Sequence, residues 1–187
     1  MTEEASQRDS SSEPSCQGLV QVFTGDGKGK TTAALGTAIR ALGQGQRVYI
    51  VFFMKGGYPY GELNILSQLP NVDVARFGSL EFVDPANIRP EEREQARLAL
   101  SVGREAVLSG NYDMVVLDEV NVAVAFKLIP LDEVIKLIRD KPPKVELILT
   151  GRKAAPELIK QADLVTEYLK IKHPYDKGIE SRRGIEY

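Results

Sequence analysis

Several things are scarce in this sequence, beginning with reactive side chains: it has one cysteine, one histidine and no tryptophan in 187 residues. The single thiol, Cys16, excludes an intramolecular disulfide and a thiolate metal cage, and fits a reducing cytoplasm. His173, in the stretch KIKHPYDKG, stands alone, and a lone histidine is more often structural than catalytic. No serine, cysteine or histidine is arranged to activate a side chain, so a protein nucleophile is not expected. A basic excess is also missing. Lysine and arginine number 24 against 26 aspartates and glutamates, a net charge of −2, which argues against binding nucleic acid through its phosphates. No window approaches the roughly 20 apolar residues of a membrane span, and there is no internal repeat. The first residues, MTEEASQRDSSSEPS, lack the basic start and apolar run of a secretory signal. Residues 1–17 read as a disordered tail, too polar to offset the entropy of ordering, or as a lid that orders on a ligand.

What is present is a regular alternation. Short apolar runs at 19–24, 47–53, 72–77, 113–118, 145–150 and 164–171 are rich in β-branched and aromatic residues. Several are apolar throughout, as strands covered on both faces are. Helical patterns lie between them at 31–42, 90–108, 130–139 and 156–161, three of which open on proline. Strands alternating with helices predict an α/β fold with a mostly parallel sheet and a single domain over 18–187. Ligands in such folds sit at the carboxyl ends of the strands, where the long loops 54–61 and 78–89 fall.

The first of those strand ends runs into FTGDGKGKTT. Gly25, Gly27 and Gly29 free the backbone to turn its N–H groups inward at an anion, at the start of a helix whose dipole favours negative charge. Lys30 supplies a cation for phosphates and Thr31 a hydroxyl for magnesium. The usual spacing is GxxxxGK[ST], and Thr24 stands where its first glycine belongs. A second stretch, DMVVLDEV, ends a strand on Asp118 and Glu119. If the two strands are neighbours, these carboxylates lie beside the loop and can hold magnesium directly or through water; alone, an acid pair there serves equally as a helix cap. Nucleotide binding follows, but hydrolysis, phosphoryl transfer and passive sensing all remain open.

Four blocks taken in order, VFTGDGKGKTTAALGTAIRALGQGQRVYIVFFMKG, MVVLDEVNVAVAFKLIPLDEVI, ILTGR and IKHPYDKGIESRRGIEY, resemble the ATP:corrinoid adenosyltransferases of the cob(I)yrinic acid a,c-diamide type. The resemblance runs from Gly18 to Tyr187. It implies a three-layer, RecA-like P-loop NTPase fold, a cytoplasmic homodimer, and transfer of the 5′-deoxyadenosyl group of ATP to Co(I) of a corrinoid, whether cobyrinic acid a,c-diamide, cobinamide or cobalamin. An electron-donating flavoprotein is the implied partner and Mg²⁺ the implied cofactor. The nucleophile would then be cobalt, which accounts for the missing protein nucleophile. Carried over by position, the phosphate loop is Gly25, Asp26, Gly27, Lys28, Gly29, Lys30 and Thr31, with Arg40 and Arg152 as further triphosphate contacts and Thr31, Asp118 and Glu119 at the metal. Arg40 also reads as a solvated helix face, and Arg152 as a helix-start cap. Family members pack an aromatic pair beneath the corrin to remove its lower axial ligand. The comparable stretch here, GSLEFVDPAN, offers Phe82 and Val83. Phe82 is equally readable as core.

Overall fold

A computed structural model describes residues 17–57, 59–79 and 81–187, so Cys16 and all but the last residue of the expected 1–17 tail lie outside the described residues. Six strands form one sheet among these: β1 Val20–Thr24, β2 Val48–Phe52, β3 Val72–Arg76, β4 Met114–Asp118, β5 Glu146–Thr150 and β6 Leu164–Glu167. All pairs are parallel, in the order β3-β2-β4-β5-β1-β6. The helices are α1 Lys30–Gly43, α2 Gly61–Leu66, α3 Pro90–Leu108, α4 Val120–Ala125, α5 Leu131–Asp140 and α6 Pro156–Gln161, with a 3₁₀ turn at Pro174–Lys177.

Alternation along the buried strands divides the core in two. Ile50, Val116 and Ile148 face Ala34 and Ala38 of α1 and Leu66 of α2. Val51, Leu117 and Leu149 face the other way, onto α3, α5 and Leu158 of α6. The small alanines of α1 let that helix lie close over the sheet, and α3 achieves the same with Ala96, Ala99 and Gly103. The result is the three-layer α/β architecture that the alternation of strands and helices predicts. No helix among the described residues is long and apolar enough to cross a membrane.

Two local expectations are corrected. The strands that carry the phosphate loop and the Asp118–Glu119 pair are not neighbours, because β5 pairs with both and lies between them. The last strand is shorter than 164–171, ending at Glu167. Beyond it the chain bends over the phosphate loop: Tyr168 N donates to Thr24 O at 2.8 Å, and Gly27 N donates to Tyr168 O at 2.6 Å. A Cβ on Gly27 would stand 2.7 Å from that carbonyl, so the close approach of the two backbones requires glycine there. Two short helices, α2 and α4, were not legible from periodicity. At six residues each they offer less than two turns of pattern.

Candidate active site at the carboxyl edge of the sheet

The phosphate loop joins β1 to α1. Gly29 holds φ +116° as the residue before α1, a left-handed conformation open to glycine, and the helix then presents its first N–H groups toward the loop's cavity. Lys30 is buried at 7 % exposure and its Nζ donates to Gly27 O at 2.6 Å. Burial pulls its pKa below the ordinary lysine value, with the Arg152 charge adding to this and Glu119, Asp26 and Asp118 opposing it. An ammonium folded back on a loop carbonyl is stored within reach of the anion that the loop would cradle.

Asp118 reaches the same place although its strand is one removed. At the end of β5, Thr150 Oγ1 donates to Asp118 Oδ1 at 2.6 Å and accepts from Glu119 N at 3.0 Å, so one hydroxyl ties the two strand ends together. The second carboxylate oxygen, Oδ2, accepts from Lys55 Nζ at 2.7 Å, and that ammonium also lies 3.5 Å from Thr31 Oγ1. Glu119 sits at φ +66°, an uncommon conformation for a residue with a Cβ, stored where the chain turns from β4 into α4. Burial raises its pKa, and the neighbouring Asp118 charge raises it further; Lys55, Lys30 and Arg152 pull it down. Asn121 Nδ2 donates to Gly151 O at 3.3 Å and so braces the turn that carries Arg152.

Gly27, Lys30, Thr31, Lys55, Glu119 and Arg152 line a cavity of about 760 Å³, and Asp118 stands behind its wall through Lys55. A second cavity of about 700 Å³ adjoins it, walled by Asp26, Phe82, Tyr175 and Ile179. Arg152, His173 and Glu186 line both. His173 Nδ1 accepts from Tyr175 N at 3.2 Å, so in the neutral ring the proton is on Nε2. Phe82 is 88 % exposed, which removes the reading of it as core. Its loop is pinned by Arg89, whose guanidinium meets Glu81 Oε2 at 2.7 Å and Glu92 Oε1 at 2.8 Å.

Not every position expected at the site arrives there. Arg40 is exposed in the last turn of α1, ten residues past Lys30 and so about 15 Å along the helix at ~1.5 Å per residue. It lines neither cavity. Val83 turns away from Phe82 and packs on the main core. Lys28 borders the nucleotide-sized cavity with its Nζ on Glu186 Oε1 at 2.6 Å and Ile185 O at 3.1 Å. Asp26 borders the second cavity. Lys55 was missed by sequence reasoning. The available signal was its place just after an apolar strand, at the edge where ligands bind, together with the need of a buried Asp118 for a cation.

A parallel sheet with a glycine-rich loop entering a helix at Lys30–Thr31 and a strand-end aspartate two strands away gives the chain a P-loop NTPase-like fold. Over residues 16–187 the chain matches the family model of the ATP:corrinoid adenosyltransferase BtuR/CobO/CobP, and it belongs to that family. It is 36 % identical over 171 residues to a corrinoid adenosyltransferase of Escherichia coli K12, covering 91 % of this chain and 86 % of that one. The corrinoid adenosyltransferase CobA of Salmonella typhimurium LT2 is 37 % identical with the same coverage, and one from a Sinorhizobium species is 36 % identical over 174 residues, 91 % of this chain and 81 % of that one.

Proposed function

We propose that this adenosyltransferase binds ATP along the phosphate loop and a corrinoid in the adjoining cavity, and that the adenosyl group passes between them at their junction. One observation carries the reading: two cavities, one floored by Lys30 and Thr31 and one fronted by exposed Phe82, share Arg152, His173 and Glu186. In the transfer, the electron pair of Co(I) forms a bond to C5′ of the ribose, the C5′–O bond breaks, and triphosphate leaves with the bonding pair. The protein supplies no nucleophile; it holds C5′ in line and stabilises charge on the departing oxygens. Lys30, Lys28 and Arg152 are suited to the second task. Leu35, Ile39 and Tyr60 wall the first cavity with the apolar surface that a purine needs. Phe82, with Tyr175 and Ile179, offers a face for the corrin and denies an axial ligand its space and solvation.

Magnesium fits this site. Thr31 Oγ1, Asp118 and Glu119 are hard oxygen donors, and a cation, the Lys55 ammonium, already stands between the first two. Among the described residues no three acids, histidines or cysteines are grouped as a self-sufficient cage, and magnesium is ordinarily held by one or two carboxylates together with substrate phosphates. It would supply charge neutralisation to the triphosphate. A cytoplasmic homodimer with a flavoprotein reductant completes the proposal. Sedimentation of the full chain tests the dimer.

The deciding experiment is anaerobic: mix the protein with magnesium-ATP and chemically reduced cobalamin, follow the visible spectrum, and separate the phosphate products. A light-sensitive alkylcobalt spectrum with stoichiometric triphosphate is expected. ADP and phosphate with the corrinoid unchanged would overturn it. Repeating the assay with cobinamide and cobyrinic acid a,c-diamide ranks the three substrates.

A further inference from the structure

Lys55 takes part in none of the steps above, yet it holds a central place in the site. Its Nζ is 2.7 Å from Asp118 Oδ2 and 3.5 Å from Thr31 Oγ1, the two oxygens that the proposed function gives to magnesium. The side chain is 12 % exposed and that of Asp118 1 %. The ammonium also lies 4.8 Å from the Tyr60 ring centroid and 5.4 Å from that of Phe52, so an aromatic wall backs the charge. Its main chain is fixed: Lys55 N donates to Phe77 O at 2.8 Å, and Lys55 O accepts from Arg76 Nη2 at 3.0 Å. The position is therefore built by the fold.

We infer that Lys55 is the resident cation of the metal position, filling it in the nucleotide-free protein and barring a free divalent ion until nucleotide arrives. The inference rests on the reading of Thr31 and Asp118 as metal oxygens. A divalent ion that comes alone must drive the ammonium off Asp118 and leave it only the Glu119 carboxylate, which the proposed function also gives to the metal. Removing one partner from a buried ion pair is strongly unfavourable. An ion that comes with a triphosphate brings anionic oxygens for the displaced ammonium, which its flexible four-carbon stem can reach. Metal and nucleotide then bind as a unit, and Lys55 becomes a positioning residue on the leaving group.

The test is manganese binding, read by the electron paramagnetic resonance of the free ion, with the full chain and no corrinoid, after subtracting the manganese held by ATP itself in a protein-free titration. Wild-type protein is expected to bind manganese with ATP, and at least ~10-fold more weakly without it. Lys55→Gln is expected to bind manganese alone at least ~10-fold more tightly than wild type, while Lys55→Arg, which keeps the charge, retains the block. Equal manganese affinity of wild type with and without ATP overturns the inference, as does a Lys55→Gln protein no tighter than wild type or a Lys55→Arg protein as permissive as Lys55→Gln. Lys55→Met removes the same charge with a side chain of similar length and serves as the second variant if Lys55→Gln does not fold. Manganese binding in neither condition would sink the metal reading itself, whereas equal binding in both sinks only the role of Lys55; neither outcome depends on adenosyl transfer.

Discussion

Lys30 and Phe82 show how differently single residues serve one site. Lys30 is buried and its Nζ is held by a loop carbonyl, so its charge is aimed before any ligand arrives. Preorganised charge of this kind acts mainly on the departing group, and its removal costs about 10²- to 10³-fold in turnover where a single stabilising donor is lost. Lys30→Ala is expected to lower kcat by that order while its far-ultraviolet circular dichroism stays that of wild type. A variant with wild-type turnover would remove the phosphate loop from the chemistry. Phe82 stands 88 % exposed on its pinned loop, so folding gains little from it. Burying a phenylalanine against a ligand contributes roughly 1.5–3 kcal/mol. Phe82→Ala should therefore raise the corrinoid KM by about 10- to 100-fold and leave the ATP KM and the melting temperature unchanged, which steady-state kinetics on each substrate would check.

At the level of elements, the loops after β2 and β3 cross so closely that their backbones touch. A Cβ on Gly56 would lie 1.7 Å from Gly78 O, and Gly78 itself holds φ +115°. The atom in the way is main chain and cannot swing aside, so Gly56→Ala must displace the segment that carries Lys55. A cost of about 1–3 kcal/mol is expected, as for overpacking elsewhere, seen as a lower denaturation midpoint in urea with an unchanged slope. The opposite end of the same strands is tied by Tyr112, whose hydroxyl donates to Asp73 Oδ2 in β3 at 2.8 Å and whose ring meets Tyr49 of β2 edge-on at 4.9 Å. Burial and then the Asp73 hydrogen bond push the phenol up to about 12 from its ordinary 10.0. The folded state keeps this proton longer than the unfolded chain, so the contact's stability is complete below about pH 10 and is lost as pH rises through about 12. Tyr112→Phe should cost on the order of 0.5–1 kcal/mol at neutral pH and flatten the decline above pH 10, measured by denaturant unfolding across pH 8–12.

For the whole molecule, the sheet order sets the layout. Placing β5 between β1 and β4 separates the phosphate loop from Asp118 by one strand and opens a crevice there, the position in open α/β sheets where ligands bind. The chain after β6 then doubles back: Tyr168 lies along the loop, and Lys28 meets Glu186 across it. The C-terminal segment thus forms walls of both cavities, and residues from opposite ends of the described chain face each other at their junction.

The six strands, four of the six helices and the glycine-rich loop between β1 and α1 were legible in the sequence because each depends on residues adjacent along the chain. Periodicity, glycine spacing and an apolar run ending in acid are local signals. The placement of partners was not local. Nothing in residue type says that β5 inserts between β1 and β4, since parallel strands pair through backbone groups that every residue has. Only the folded sheet decided that Lys55 meets Asp118 and Thr31, and that Phe82 stands free while Val83 packs inward. The helix geometry of α1 puts Arg40 in its last turn, away from the phosphate loop to which the family resemblance had assigned it. The chain determined which chemistry was available; the order of strands determined which side chains could reach it.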